Sequence, residues 1–171
     1  AASATIPNAA DVQEWLRPAS LRYFDDSVRP CKLTSHVLGY QESNPYQFES
    51  QLTKRLPDVI SQYSNGRPCL VFCPSRKSSM NTAIALSEML LNGRQGQKSW
   101  TALHSGNQAW EDWALRVEND SLRKCVVHGV AFHNATLSTF DRKLVEDMFR
   151  NEALPVVCTT TTLAHGVNLP A

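Results

Sequence analysis

The sequence predicts an α/β fold with a parallel sheet, and two observations carry this prediction. Three short, largely apolar runs lie at residues 69–73, 129–133 and 155–159. They are too short for helices and lack apolar–polar alternation, which is typical of strands buried on both faces. Between them lie stretches whose apolar residues have helical spacing, and such repeated strand–helix units form right-handed crossovers between parallel strands.

Before the first of these strands, the chain predicts a short helix and a strand. The helix would be capped by Asn8 or Asp11 and would end before Pro18, with Val12, Trp15 and Leu16 as its apolar residues. Residues 29–40 alternate apolar and polar side chains, which is the periodicity of a strand.

Four further helical stretches are predicted. Apolar spacing indicates a helix over residues 46–63, with a break or kink at Pro57 and a stop at Asn65-Gly66. The turn after the first strand opens a second helix, whose apolar side contains Met80, Ala83, Ile84, Leu86 and Leu90. Residues 111–127 predict one or two helices.

The last helix begins at a pattern that resembles a capping box, with Ser138 followed by Asp141. Its predicted buried stripe consists of Phe140, Leu144, Val145, Met148 and Phe149. Its predicted solvent side consists of Asp141, Arg142, Lys143 and Glu146. This helix returns the chain to the third strand.

Composition sets limits on function. The 171 residues are 42% hydrophobic, enough for one domain core, and a net charge of +1 gives no global nucleic-acid signature, so such contacts must be local. The five cysteines lack zinc-finger spacing and predict buried free thiols in a reducing compartment. No apolar run reaches the length of a membrane span, and the first residues do not form a signal peptide.

Several suggestive features are set aside on physical grounds. Asp25-Asp26 does not follow a buried strand, so these residues are expected in a solvated turn rather than at a metal. Residues 93–99 (GRQGQKS) lack the Gly-Lys step and the preceding strand that a P-loop needs. Trp100, Trp110 and Trp113 are expected to pack rather than to stack on bases. His133 is expected to be a structural residue, and no catalytic constellation is evident.

Polar residues follow two of the predicted strands. Ser75 and Arg76 come after the first strand, at the start of a helix whose N–H groups are unpaired, and Thr159–Thr162 come at the end of the third. In parallel sheets ligands collect at the carboxyl ends of the strands, and such groups suit phosphate oxygens. A solvated helix start and an ordinary β-branched strand end are the simpler interpretations of these residues.

Four stretches, in order along the chain, closely resemble motifs of superfamily 2 helicases of the superkiller type. Residues 3–8 (SATIPN), with Asp11, Val12, Trp15 and Leu16, resemble motif III and the segment after it, and residues 70–76 (LVFCPSR) resemble motif IV. Residues 129–138 (GVAFHNATLS), with Arg142, Glu146 and Arg150, resemble the family's GVAFHHAGLS…R…VE..FR segment. Residues 159–171 (TTTTLAHGVNLPA) resemble motif V. Thr136 departs from the family, where Gly is usual, and would be strained if the backbone φ were positive there.

The resemblance implies a parallel RecA-like sheet flanked by helices. Residues 1–27 would be the end of a first RecA-like domain and a linker, and residues 28–171 a second domain truncated after motif V. Ser75, Arg76 and Thr160 would contact the phosphates of a single strand, which does not read sequence. Gly166 and Asn168 would lie near the nucleotide. Ser3 and Thr5 would couple nucleotide state to strand movement.

Within this group, the sequence is most similar to the fungal meiotic crossover DNA helicases. That similarity implies a nuclear, ATP- and Mg²⁺-dependent motor that moves 3′ to 5′ along single-stranded or branched DNA. The first RecA-like domain and downstream helicase domains would be its partners. No residue here is assigned a catalytic or metal-binding role, because no GxxxxGK[ST], no DExD/H box and no motif VI is present, so this segment alone is expected not to hydrolyse ATP.

Other functions stay open at this point. A spliceosomal RNA helicase or a DNA-repair helicase of the same group would carry similar motifs. A non-catalytic helicase-like cassette would serve as an interaction module, and a small-ligand α/β protein would merely have Thr-rich strand ends. Salt-dependent binding to single-stranded oligonucleotides, weakened by Arg76→Ala, distinguishes the last of these from the helicases.

Overall fold

A computed structural model of the chain describes residues 6–28, 30, 32–42, 44–91 and 109–161. The chain divides into two compact units, Ala1–Gly39 and Tyr40–Ala171. The first contains helix α1 (Ala9–Trp15) and a short 3₁₀ helix (Asp26–Val28). The assignment of residues 1–27 and 28–171 to two motor domains stays a prediction.

The first unit differs from the sequence prediction in its helix cap and in its strand. Asn8 takes the N-cap position of α1, but its side chain makes no capping hydrogen bond. Helix α1 ends before Pro18, as expected, but none of its residues is buried. Residues 32–40 do not form a strand, and the side chain of Val37 is 95% exposed. The strand predicted over residues 29–40 is therefore wrong for its described part, because alternation forms a strand only where a partner strand and a core face exist. Asp25 accepts a hydrogen bond from Ser27 N–H at 2.9 Å and so lies in a turn, as expected.

The second unit is built on a three-stranded parallel sheet. Strand β1 (Cys69–Phe72) and strand β2 (Val130–His133) both pair with strand β3 (Val156–Thr159), so the order is β1-β3-β2. The predicted α/β fold with a parallel sheet is confirmed. The lack of alternation in residues 69–73 also predicts a central strand. This is wrong within the described sheet, where β3 is central and β1 lies at the edge with Phe72 51% exposed.

Helices cover this sheet and connect its strands. They are α2 (Pro45–Tyr63), α3 (Arg76–Leu91), α4 (Ala109–Arg116), α5 (Asp120–Val126) and α6 (Thr139–Arg150). Helix α3 packs on β2 and β3, α5 on β2 and α3, and α6 on β2. Strands β2 and β3 are buried along their whole length. No helix in the described ranges is long and apolar enough to cross a membrane.

Helix α2 continues through Pro57, so the predicted break is wrong, whereas the alternative of a kink stays a prediction. A proline inside a helix loses one backbone hydrogen bond and costs about 3 kcal/mol. Leu56 and Ile60 pack against the core on both sides of the proline, and this burial holds the helix together. The predicted stop is confirmed, since Asn65 and Gly66 have φ of 49° and 75°.

Gly129 is required by the packing at the start of β2. Its φ is +74°, and a Cβ atom there would lie 2.7 Å from Cη2 of Trp110. The Trp110 indole Nε1 donates a hydrogen bond to the Ala153 carbonyl at 2.6 Å, which holds the ring in place. Trp110 therefore packs, as expected. Trp113 also packs against the core, whereas Trp100 and residues 93–99 lie outside the described residues.

Asp141 has a different role from the predicted one. Ser138 Oγ caps α6 by accepting from Asp141 N–H at 3.1 Å, as expected. The Asp141 side chain, predicted to face solvent, is 1% exposed, and its two oxygens accept from Glu118 N–H at 2.9 Å and Asn119 N–H at 3.0 Å. It thus binds the turn between α4 and α5. Phe140, predicted to be buried, is 48% exposed instead.

His133 joins β2 to α6. Its Nε2 lies 2.9 Å from Glu146 Oε1, and the imidazole is buried. Burial lowers the pKa of His133 from its ordinary value, and this effect exceeds the opposing hydrogen bond and charge of Glu146, with Arg142 lowering the pKa further. His133 is therefore neutral near pH 7 and structural, as expected.

We expect Asp141→Ala to lower the free energy of unfolding by about 2–4 kcal/mol, because two buried N–H groups lose their acceptor. Asp147→Ala on the same helix is the control. Its carboxylate pairs with Arg150 at 2.7 Å in a half-exposed position, so its loss should cost less than about 0.5 kcal/mol. Urea unfolding followed by circular dichroism measures both. Equal destabilisation by the two substitutions would contradict this role of Asp141.

The lowered pKa of His133 also predicts how stability depends on pH. The unfolded chain takes up a proton near the ordinary pKa of 6.5, but the folded chain takes it up only at lower pH. The stability linked to His133 is therefore fully present above 6.5 and is lost as pH falls through the folded pKa. We expect the free energy of unfolding to fall as the pH is lowered from about 7 to about 5. His133→Gln should reduce the slope of this free energy against pH. His128→Gln, which removes a histidine outside the β2–α6 contact, should keep the slope; an unchanged slope in His133→Gln would overturn this explanation.

Candidate nucleic-acid interface

The carboxyl ends of the three strands lie at one edge of the sheet. Phe72, His133 and Thr159 are register partners. The ladder continues one step further, where Cys73 N–H donates to the Thr159 carbonyl at 2.7 Å. Because parallel pairing aligns these ends, the turns after β1, β2 and β3 all leave the sheet at the same edge. Thr160 follows β3 and Ser75-Arg76 follow β1, so the structure brings the three predicted residues to a common edge.

Ser75 and Arg76 form the start of α3. Ser75 Oγ accepts a hydrogen bond from Ser78 N–H at 3.0 Å, so the hydroxyl caps the helix and keeps its own hydrogen for another acceptor. Ser75, Arg76 and Lys77 are exposed, and within the described residues neither cation makes an ion pair. A helix start with unpaired N–H groups and two cations is an anion-binding arrangement.

The threonine run divides into a structural part and an accessible part. Thr159 is fully buried, and its hydroxyl lies 2.9 Å from the His133 carbonyl oxygen and 3.1 Å from the Thr160 carbonyl oxygen. Its role is to bind the ends of β2 and β3 together. Thr160 is half-buried and Thr161 is exposed, while Thr162 lies outside the described residues. Thr160 therefore marks the point where the run leaves the core.

An amide that sequence analysis did not single out lies beneath this edge. Asn134, the first residue after β2, is 1% exposed, and its Nδ2 donates to the Arg76 carbonyl at 3.1 Å and to Ser79 Oγ at 3.0 Å. Its position within the GVAFHNATLS motif is the feature of the sequence that could have identified it, but nothing in the sequence indicates a contact with α3. Thr136 does not have a positive φ, so the strain considered for this position does not arise.

Cys73 is a further residue of this edge. Hydrogen bonding from the Cys158 thiol lowers the pKa of Cys73 to about 7; burial and Glu49 oppose the shift, and the hydroxyls of Thr82 and Ser78 add to it. The pKa of the Cys158 thiol is correspondingly raised. The four cysteines of the described residues are free; three of them are buried, as expected, and Cys69 is half-buried. The lowered pKa favours the thiolate form of Cys73, and a thiolate would not attract phosphate.

The carboxylate of Glu49 also borders the start of α3. Ser78 Oγ donates to Glu49 Oε1 at 3.0 Å, which connects α2 to the first turn of α3. No group of three or more His, Cys, Asp or Glu residues in the described part of the chain could hold a metal ion. Four of the predicted site residues, Ser3, Thr5, Gly166 and Asn168, lie outside the described residues.

Comparison with known proteins identifies the relatives of this chain. No protein-family model matches it. Over its full length it is 38% identical to the "ATP-dependent DNA helicase MER3 homolog" of rice (Oryza sativa) and 39% identical to the "Probable ATP-dependent DNA helicase HFM1" of human. Over 99% of its length it is 34% identical to the "U5 small nuclear ribonucleoprotein 200 kDa helicase" of Caenorhabditis elegans.

The chain aligns with only a small part of the length of each of these relatives. It spans 14% of the rice protein, 12% of the human protein and 8% of the nematode protein. The alignment nevertheless covers every stretch in which helicase motifs were identified, from residue 3 to residue 171. The chain is therefore similar over its whole length to a short part of the MER3- and HFM1-type ATP-dependent DNA helicases, as the motif resemblance to the superkiller-like group of superfamily 2 helicases predicts.

Proposed function

We propose that this chain is part of the second motor domain of an ATP-dependent helicase and that it holds one nucleic-acid strand with Ser75, Arg76 and Thr160. The observation that carries the proposal is the common edge: two neighbouring parallel strands deliver an exposed helix start and a threonine-rich turn to the same side of the sheet. No single one of these features would distinguish a ligand site from an ordinary turn.

The chemistry of this edge suits a phosphodiester backbone. Arg76 supplies a positive charge and a planar set of donors, the first turn of α3 supplies N–H groups, and the Ser75 hydroxyl can donate while it caps the helix. Such contacts hold phosphates and carry no sequence information. The side chain of Thr160 would add a hydroxyl from the neighbouring strand end. The site would therefore grip a strand of any sequence.

The motor role requires a second half of the cleft. ATP with Mg²⁺ would bind between this domain and a first RecA-like domain, and closure of the two would shift the strand-gripping loops relative to each other. Gly166 and Asn168 would lie near the nucleotide, and Ser3 and Thr5 would transmit its state. ATP hydrolysis needs a P-loop Lys and a carboxylate that holds Mg²⁺, which the first domain would supply.

We further propose that the strand is DNA and that the full protein acts in the nucleus. The relatives named as DNA helicases support DNA as the substrate. Movement from 3′ to 5′, branched DNA substrates and a role in meiotic crossover formation follow from the motif resemblance. An RNA helicase is the alternative that a specific observation favours, because the U5 ribonucleoprotein helicases align with nearly the whole chain. A non-catalytic cassette would keep the fold without strand binding.

We expect Arg76→Ala to weaken binding of the 171-residue chain to a fluorescein-labelled dT20 strand by about 5- to 10-fold. The salt slope of log K should fall by about 0.7, because one phosphate contact is lost. Fluorescence anisotropy over a range of KCl concentrations measures both quantities. Arg67→Ala is the matched control, since Arg67 is also exposed but precedes β1 and so lies at the opposite end of that strand.

These binding measurements can contradict the proposed site or favour one of the alternatives. Equal effects of Arg67→Ala and Arg76→Ala would show only diffuse electrostatic attraction and would contradict the proposed site. Absence of salt-dependent binding in the unaltered chain would favour the non-catalytic cassette. A parallel titration with U20 separates the DNA and RNA alternatives, because tighter binding to one strand requires contacts to the base or the 2′-hydroxyl.

We also expect the purified chain to show no ATP turnover at helicase rates, with or without dT20. The 171 residues contain neither a GxxxxGK[ST] sequence nor a DExD/H box, so they lack the groups that hold the nucleotide phosphates and Mg²⁺. Phosphate release measured with malachite green tests this, with an established helicase as the positive control. Turnover of about 1 s⁻¹ or more that copurifies with the chain would refute the expectation.

A further inference from the structure

Asn134 reaches from the end of β2 to the first turn of α3. Strand β3 lies between β2 and β1, so the start of α3, which follows β1, is not a direct neighbour of β2 in the sheet. The Asn134 amide spans this separation by donating from Nδ2 to the Arg76 carbonyl at 3.1 Å and to Ser79 Oγ at 3.0 Å. The Ser79 hydroxyl in turn donates to the same Arg76 carbonyl at 2.8 Å.

The orientation of this amide is fixed from its other side. Asn134 Oδ1 accepts from Thr136 N–H at 2.9 Å and from the Thr136 hydroxyl. Two donors therefore face the amide oxygen, and two acceptors face the amide nitrogen. A reversed amide would place donor against donor and acceptor against acceptor, so a single orientation satisfies all four groups. At the centre of this set, Asn134 is 1% and Ser79 0% exposed, whereas Arg76 and Thr136 lie at the surface.

The two residues that make this arrangement are both departures from the family pattern. Where the family segment reads HHAGL, this chain reads His133-Asn-Ala-Thr-Leu137. Asn134 stands at the second histidine and Thr136 at the glycine, and the structure shows them bonded to each other.

We propose that Asn134 is a positioning residue for strand binding, which holds the first turn of α3 so that Arg76 lies at the common edge with Thr160. The proposal rests on the proposed function and adds to it the group that orients its main cation. Asn134 is buried and so does not contact the nucleic acid. It acts through the Arg76 backbone, whose carbonyl receives two side-chain hydrogen bonds.

The substitution that tests this is Asn134→Asp, which keeps the shape but replaces the donating amide nitrogen by an oxygen. The new oxygen would face the Arg76 carbonyl oxygen, so the bond becomes a repulsion and the first turn is displaced. Asn81→Asp is the matched control. Asn81 is exposed on the same helix and gains the same negative charge without touching this network.

For dT20 binding by the full chain, we expect Asn134→Asp to weaken the affinity about 3- to 10-fold and Asn81→Asp less than about 2-fold. In an Arg76→Ala background, Asn134→Asp should have less than about a 2-fold further effect, because the group it positions is already absent. A full additional loss in that background, or an unchanged affinity in a folded Asn134→Asp chain, would overturn the proposal. If Asn134→Asp does not fold, Ser79→Ala takes its place, with a smaller loss that must also vanish when Arg76 is absent.

Hydrogen exchange without nucleic acid provides an independent readout. The Ser79 amide donates to the Ser75 carbonyl at 2.9 Å and so reports on the first turn of α3. We expect faster exchange of this amide in Asn134→Asp and no change in Asn81→Asp. If the unaltered chain binds no strand but exchange still accelerates, the proposed function fails and the positioning contact stands. Unchanged exchange refutes the positioning role whatever the binding result.

Discussion

The pairing of β3 with both of its neighbours is the interaction on which the rest of the second unit depends. Backbone hydrogen bonds join the three strands in register, from Cys69 N–H with the Pro155 carbonyl at 2.8 Å to Cys73 N–H with the Thr159 carbonyl at 2.7 Å. All four residues of β3 are buried, so these bonds form away from water and a shifted register would leave backbone groups unpaired. The aligned ends of the strands follow directly from this register.

Beneath the exposed edge lie two separate sets of hydrogen-bonded polar groups, one around Asn134 and one around His133. Thr159 binds the His133 carbonyl, Asn134 binds the first turn of α3, and His133 binds Glu146 on α6. Buried polar groups are costly unless they are paired, and a paired network holds its members in one arrangement. The bonds of Asn134 and Ser79 to the Arg76 carbonyl hold the first turn of α3, on which the exposed residues Ser75 and Arg76 lie.

The character of this edge explains how one segment can occur in proteins named for different nucleic acids. Helix N–H groups, a guanidinium and hydroxyls bind phosphate, which DNA and RNA share. The chain aligns with proteins named as DNA helicases and with a helicase of the U5 ribonucleoprotein at similar identities. Selection between nucleic acids would then belong to residues that contact bases or sugars, whereas the grip proposed at this edge would be common to both.

The sequence by itself determined the α/β class, the three strands, the helices that connect them and the common edge at which Ser75, Arg76 and Thr160 lie. These features are local: a short apolar run or a 3.6-residue period records burial within one element, and parallel pairing then places the strand ends together.

Only the tertiary structure decided the features that depend on a partner distant in the chain. The alternation at residues 32–40 finds no partner strand among the described residues. Asp141 turns inward because two N–H groups of the α4–α5 turn need an acceptor, and Pro57 stays in α2 because the core holds both sides of it. The contact between Asn134 and α3 joins residues 58 positions apart, and no periodicity along the chain encodes a hydrogen bond of that kind.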